Sequence, residues 1–291
     1  MKPAPFRYAS PANLPEALEI LADHGDEGKA LAGGQSLLPM LGYRLAAPEC
    51  LVDIGRVPEL SGWELDDGGL TIRAMARQRQ IELDPDIGLR FPILHTALSN
   101  VAHAQIRNRG TVCGSLAHAD AAAELPSTMV ALGATMIVES KAGVRHVPAK
   151  EFFEFHFTTV LQPGELLTGV RIPDPGPGSL GTFLEVSHRK GDFALVGVAV
   201  MLSTDGDRVR DARIVCSGVA ATPFVATAAQ EAVRDRVLDD EVLMDAQYAT
   251  GEGMAPSDDF HADAAYRKQV AGVLVRRALD SLRSQQGVLS A

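Results

Sequence analysis

The chain predicts an α+β protein, with a two-part N-terminal domain followed by a smaller α+β domain. Three features of the sequence carry this expectation. Residues 1–58 alternate runs that favour helix with short apolar runs that favour strand. From Trp63 the pattern changes to paired short strands separated by turn residues. Pro173-Asp174-Pro175-Gly176-Pro177-Gly178 then supports neither helix nor ladder, and strands followed by helices come after it. The boundaries expected are 1–175 for the first domain, divided at about 58/59, and 179–291 for the second.

Asn13 caps a helix with Pro15 in its first turn and Glu16 closing an Asx-x-x-Glu box. Leu14, Ala17, Leu18 and Leu21 form its apolar stripe, and Gly25 ends it. Lys29–Ala32 reads as a buried strand running into Gly33-Gly34, with a helix over 36–45 and a strand at Cys50–Ile54 beyond. Trp63–Leu65 and Leu70–Ala74 form a hairpin, and Phe91–Val101 a helix. A second helix opens near Asp120–Pro126 and runs to Gly133. Thr135–Ser140 and Val144–Pro148 form another hairpin, and Glu165–Ile172 a strand. Past the linker, Gly181–Arg189, Ala194–Ser203 and Val209–Ser217 read as strands, with Asp205-Gly206-Asp207 a tight turn. Ala226–Val237 and Asp263–Leu282 read as helices, and the acidic, aperiodic Leu238–Ser257 as a surface loop. No internal repeat is present.

Two glycine loops are the chemical signal. Leu31-Ala32-Gly33-Gly34-Gln35-Ser36-Leu37 follows a strand and precedes a helix, and Gly110-Thr111-Val112-Cys113-Gly114-Ser115 is its counterpart downstream. Glycine lets the backbone approach a ligand, and gathered N–H groups suit phosphate. Neither loop fits G-x-x-x-x-G-K-[ST], nor G-x-G-x-x-G with a later acid, which disfavours a P-loop nucleotidase and a Rossmann site. A long dianionic ligand spanning both loops fits, and FAD is the candidate.

With 46% hydrophobic and 22% charged residues the chain reads as globular. A formal net charge of −10 argues against nucleic acid and anionic membrane as partners. No apolar run matches a membrane span or a secretory signal, so the cytoplasm is the expected location. Cys50, Cys113 and Cys216 are too scattered to hold an iron–sulfur cluster or structural zinc. His118-x-Asp120, with His95 and His103, lacks a metal-site arrangement, and His118 reads as a turn residue among alanines. Cys113 reads as a small apolar filler rather than a reactive thiol. Arg107 and Arg109 read equally as phosphate clamps or as a solvated pair. No nucleophile or paired-carboxylate pattern emerges, so the chain reads as a cofactor holder. A stand-alone flavin oxidase and a subunit that has lost its flavin are the competing readings.

On KALAGGQSLLP (Lys29–Pro39), LVDIG (Leu51–Gly55), RAMA (Arg73–Ala76) and Gln105–Pro126, the sequence resembles the FAD-binding medium subunits of molybdenum hydroxylases. ELLTGVRIP (Glu165–Pro173), RKGDFALVGV (Arg189–Val198) and YRKQVAGVLVRRAL (Tyr266–Leu279) extend the resemblance over nearly the whole chain. The family includes carbon monoxide, nicotine and xanthine dehydrogenases. It implies a vanillyl-alcohol-oxidase-like (PCMH-type) FAD-binding domain, followed by a C-terminal domain of the carbon monoxide dehydrogenase flavoprotein type. It implies an oxidoreductase flavoprotein acting in electron transfer. By carry-over Lys29, Ala30, Leu31, Ala32, Gly33, Gly34, Gln35, Ser36 and Leu37, with Thr111, Gly114 and Ser115, hold the pyrophosphate and its ribose. Asp120 and Glu124 reach the ribose or adenine side, while Leu167, Asp192 and Phe193 lie near the isoalloxazine. The resemblance also implies a large molybdopterin subunit and a small subunit with two [2Fe–2S] clusters, assembled as a dimer of heterotrimers. Carbon monoxide, N-heterocycles, purines and aldehydes are all compatible substrates of such a complex. Two positions depart from the family: Cys113 replaces a glycine, and Glu185 stands where some members have a lysine. An inward acid at 185 is expected to make the flavin harder to reduce.

Overall fold

The computed structural model describes residues 2–289. The chain opens with β1 (Arg7–Ala9), α1 (Leu14–His24), β2 (Gly28–Leu31), α2 (Leu37–Tyr43) and β3 (Cys50–Asp53), the strands forming a parallel sheet in the order β1-β3-β2. Asn13 Oδ1 accepts from the Glu16 N–H at 2.9 Å, and the Glu16 carboxylate accepts from the Ala12 N–H at 2.8 Å, so the capping box forms. Ala17, Leu18 and Leu21 are buried. The strand before the glycines is not the buried one expected. β2 is an edge strand, and Lys29 on it is exposed while Ala30 and Leu31 are only half-buried.

Next come β4 (Trp63–Asp66), β5 (Gly69–Arg73), α3 (Gln78–Leu83), α4 (Pro85–Arg90), α5 (Pro92–Asn100), α6 (Ala104–Arg107), α7 (Val112–His118) and α8 (Glu124–Leu132). After them follow β6 (Thr135–Ser140), β7 (Gly143–Pro148), α9 (Ala149–Phe152), β8 (Phe153–Phe155), β9 (Thr158–Thr159) and β10 (Leu166–Pro173). An antiparallel five-stranded sheet runs β4-β5-β10-β6-β7, both expected hairpins lying at its edges. Five short helices depart from the reading: α3, α4, α6, α7 and α9. His118 therefore closes a helix instead of standing in a turn. Each of these helices has seven residues or fewer, too short for a 3.6-residue stripe to register.

The final stretch holds β11 (Ser179–Ser187), β12 (Ala194–Asp205), β13 (Arg208–Ser217), β14 (Phe224–Val225), α10 (Thr227–Val233), α11 (Asp240–Ala249) and α12 (Ala264–Leu289). The four strands form one antiparallel sheet in chain order, with Gly206 in the turn after β12. α11 replaces the expected acidic surface loop. Asp239 caps it by accepting from the Val242 N–H at 2.8 Å, Asp240 and Glu241 sit in its first turn, and Val242, Leu243 and Ala246 are buried. Acids in a first turn favour a helix through its dipole, and here they masked the helix as a polar loop.

Two cores result. One gathers Leu70, Ile72, Phe91, Leu94, Val112, Met136 and Val170, among others, between the first two sheets and their helices. The second lies between one face of the last sheet and α10–α12. The opposite face of that sheet supplies Phe183, Ala199 and Val215 to the first core, against α5 and α8. No helix among the described residues is long and apolar enough to cross a membrane.

Candidate FAD site

The two glycine loops meet. A Cβ on Gly33 would overlap the Arg109 carbonyl oxygen and stand 2.8 Å from the Gly110 Cα. Gly33 is thus needed for the approach of one loop to the other, in addition to any approach of a ligand. Ala32 reaches within 3.8 Å of where a Gly114 Cβ would be, so small residues line the seam. Gly34 adopts φ +74°, the left-handed region, and Leu38 Cδ1 stands 3.0 Å from its absent Cβ.

Among the described residues, the N–H groups of Gly33, Gly34, Gln35, Ser36 and Leu37 find no acceptor within the chain. The loop closes on itself only through Gln35 Nε2, which donates to the Gly33 carbonyl at 3.1 Å. The hydroxyls of Ser36 and Ser115 have no partner either. Half-exposed backbone donors in succession form an anion cradle, and two phosphates of a dinucleotide cofactor are the ligand this donor set fits. In the second loop Thr111 caps α7, its Oγ1 accepting from the Gly114 N–H at 3.0 Å. Thr111 is 2% exposed, so its side chain serves the loop's shape.

Two residues absent from the sequence reading hold the second loop. The Arg109 carbonyl accepts from Arg77 Nη1, and burial lowers the Arg77 pKa, with Arg109 adding a like charge. Gln78 donates its backbone N–H to the Gly110 carbonyl at 2.9 Å. Neither position has a local signal, because each acts across more than thirty residues of chain.

Arg107 is neither of the alternatives posed for it. It is 7% exposed and forms a two-pronged pair with Glu82, Nε to Oε2 at 2.7 Å and Nη2 to Oε1 at 2.9 Å. Its Nη1 donates to the Val101 and Ala102 carbonyls at 2.7 and 3.1 Å. Arg107 is committed to the protein. Cys113 is the apolar filler expected, 2% exposed, its thiol pushed up to about 12 by burial.

The remaining candidates are spread around the seam. Asp120 accepts from the Ala122 N–H at 2.9 Å and shapes the turn into α8. Glu124 is the first residue of α8, 4% exposed, and burial raises its pKa to about 7. Leu167 is buried at a register shift in β10. Asp192 and Phe193 lie in an exposed turn before β12, and Phe193 is 62% exposed. That turn packs on the α5–α6 connection, since a Cβ on Gly191 would stand 2.6 Å from the His103 ring. Glu185 on β11 does face inward, with one carboxylate oxygen buried. Burial, reinforced by the nearby Glu124, raises its pKa to about 8. At neutral pH it is therefore mostly protonated, and the expected penalty on flavin reduction grows as pH rises above neutrality.

Comparison with known proteins decides the family. Residues 4–175 match the model described as "FAD binding domain in molybdopterin dehydrogenase", and residues 181–282 that of the "CO dehydrogenase flavoprotein C-terminal domain". The chain belongs to the FAD-binding subunits of molybdopterin-dependent dehydrogenases. It is 40% identical over 280 residues to the 6-hydroxypseudooxynicotine dehydrogenase complex subunit alpha of Paenarthrobacter nicotinovorans, covering 96% of this chain and 95% of that one. It is 34% identical to the carbon monoxide dehydrogenase medium chain of Hydrogenophaga pseudoflava, covering 97% and 98%. Among solved structures, quinoline 2-oxidoreductase from Pseudomonas putida 86 superposes with a TM-score of 0.92 at 40% identity, covering 98% of this chain and 99% of that one. Carbon monoxide dehydrogenase from Hydrogenophaga pseudoflava gives 0.94 at 34%, over 98% and 99%. This FAD-binding subunit is an oxidoreductase component with the α+β fold of its relatives, and FAD is its own cofactor.

Proposed function

We propose that this subunit transfers electrons within a molybdenum hydroxylase in the cytoplasm, taking them from [2Fe–2S] clusters of a small partner. It passes them to an external acceptor. A large partner carries the molybdopterin and oxidises the organic substrate, and the assembly is a dimer of heterotrimers. Residues 1–175 and 179–291 act as its two domains, with the flavin between the glycine loops and the inner face of the last sheet. The pyrophosphate is bound by the N–H groups of residues 33–37 with the Ser115 hydroxyl, and Gly114, without a side chain, leaves room beside them. Asp120 and Glu124 lie toward the ribose and adenine, and Leu167, Asp192 and Phe193 toward the isoalloxazine. The flavin supplies the conversion between two-electron and one-electron chemistry; the chain binds and orients it.

The observation that carries this reading is the seam itself, a run of unsatisfied backbone donors formed where two loops distant in sequence touch. Among the described residues of the seam no pairing of nucleophile and base stands out, and the reading takes the electrons from another polypeptide. The test is to assay the purified FAD-loaded chain, alone and co-expressed with large and small partners, on carbon monoxide, an N-heterocycle, a purine and an aldehyde. The reading expects turnover only in the assembly. Turnover by the chain alone would favour a self-sufficient oxidase.

A further inference from the structure

Cross-strand partners in a sheet share a face, as do residues two apart on one strand. The row Phe183–Ala199–Val215 faces the first core. The row two positions along, Glu185–Gly197–Ser217, therefore faces the same way. Gly197 leaves a gap in the middle of that row, where a Cβ would stand 2.5 Å from Ser217 Oγ and 2.9 Å from the Phe183 ring. Ser217 is 1% exposed, and its hydroxyl has no partner among the described residues. Glu185 Oε2 is also buried and unpartnered.

The opposite wall is the entry to α8. Gly218 donates its N–H to the Ala121 carbonyl at 2.8 Å, which brings the end of β13 against the turn leading to Glu124. The charged groups around this pocket are few. Glu124 alone bears on Glu185, while Asp120 and, more weakly, Arg107 bear on Glu124. Arg107 is spent on Glu82. From β12 the facing residue is Gly197 and from β13 it is Ser217, neither of which titrates. Among the described residues, a carboxylate oxygen and a hydroxyl in one row thus lie buried without partners, and a second buried carboxyl bears on the first. Burial places their titrations at about 7 for Glu124 and about 8 for Glu185, so the pair is partly filled with protons just above neutrality.

We propose that Glu185, beside Ser217, is a proton-accepting site whose occupancy rises when the bound flavin is reduced. The proposal rests on the placement of the isoalloxazine beside Leu167 and Phe193 given above. Two electrons from a one-electron donor bring two negative charges into the site. One solvent proton goes to the flavin, and a second converts the Glu185 carboxylate, where it is ionised, to the acid, so two electrons enter with up to two protons. Glu185 acts here by compensating charge, as a positioning residue for the proton and not as a group bonded to the flavin.

The FAD-loaded chain is titrated with titanium(III) citrate and redox mediators over pH from about 6 to about 10. In a window near pH 8 and just above, proton uptake per electron pair should rise above one toward two, and Glu185→Gln with full flavin occupancy should stay at one. Equal proton counts in the two proteins overturn the proposal. Infrared difference spectra of the unmutated protein, reduced minus oxidised, provide a readout that needs no variant. A gain in protonated carboxylic acid near pH 8 supports the site, and no gain overturns it. The flavin-free chain should itself show a protonated carboxylic acid at pH 7, and its absence overturns the proposal as well. Ring placement is read separately from the flavin fluorescence of Phe193→Ala. An unchanged spectrum there defeats the placement. A changed spectrum with an unchanged proton count defeats only the proton site.

Discussion

Gly33 packs directly on the backbone of Arg109, in space that any side chain at position 33 would occupy. The contact joins two loops separated by more than seventy residues of chain, and the proposed pyrophosphate cradle exists only while they touch. Gly33→Ala should drive them apart. FAD affinity is expected to fall by about 10- to 100-fold, equivalent to about 1.4–2.7 kcal/mol. The far-ultraviolet circular dichroism should be unchanged. Equilibrium dialysis against FAD measures this, and unaltered affinity would show that the seam tolerates separation.

Gly34 fails differently on substitution. Its φ of +74° disfavours any side chain, and Leu38 crowds the Cβ position. Gly34→Val forces a branched residue into that region at a cost of about 1–3 kcal/mol. The purified variant should carry little flavin while remaining folded. Wild-type flavin content, read from the absorbance ratio of flavin to protein, would reduce Gly34 to an ordinary turn residue.

The Arg107–Glu82 pair should matter to stability more than to flavin chemistry. Both side chains are buried, and Arg107 also satisfies two carbonyls of the α5–α6 connection. Removing Arg107 leaves buried Glu82 with Arg79 alone, Nη1 to Oε1 at 2.8 Å, at a cost of at most about 3–5 kcal/mol, that of a fully broken buried pair. Arg107→Met should lower the urea midpoint sharply, and Arg107→Met with Glu82→Gln should recover part of the loss. A double variant no better than the single would mean that the carbonyl contacts, not the ion pair, dominate.

Stability should also fall as pH rises from about 4.5 to about 8. Glu124 and Glu185 have folded-state pKa values raised to about 7 and about 8, above their ordinary value of 4.5. The unfolded chain therefore releases these protons first as pH rises. The stabilisation is complete below about pH 4.5 and is lost progressively until pH passes about 8. Glu185→Gln should flatten the decline in melting temperature between about pH 6 and 8. A slope identical to wild type would contradict the raised value.

Much of this architecture could be read from the sequence because its signals are local. The two glycine loops, the hairpins around Asp66–Gly69 and Lys141–Gly143, and the Asn13 cap each depend on a few adjacent residues. What escaped depends on distance. Arg107 looks solvated until the fold brings Glu82 to it, and Arg77 and Gln78 gain a role only when α3 meets the second loop. The α11 helix was hidden by acids that strengthen it. Glu185 could be marked as unusual in sequence, but its neighbours Ser217 and Glu124 come from another strand and a helix entry, so its neutral state could not be anticipated.

The most direct test of the account compares FAD, FMN and riboflavin binding to the flavin-free chain by fluorescence quenching. If unsatisfied N–H groups of residues 33–37 bind the pyrophosphate, FAD should bind at least about 100-fold more tightly than riboflavin, a difference of about 2.7 kcal/mol. FMN, with one phosphate, should fall between them. Equal affinity for all three would mean that the isoalloxazine alone carries binding, and that the meeting of the two glycine loops has no part in it.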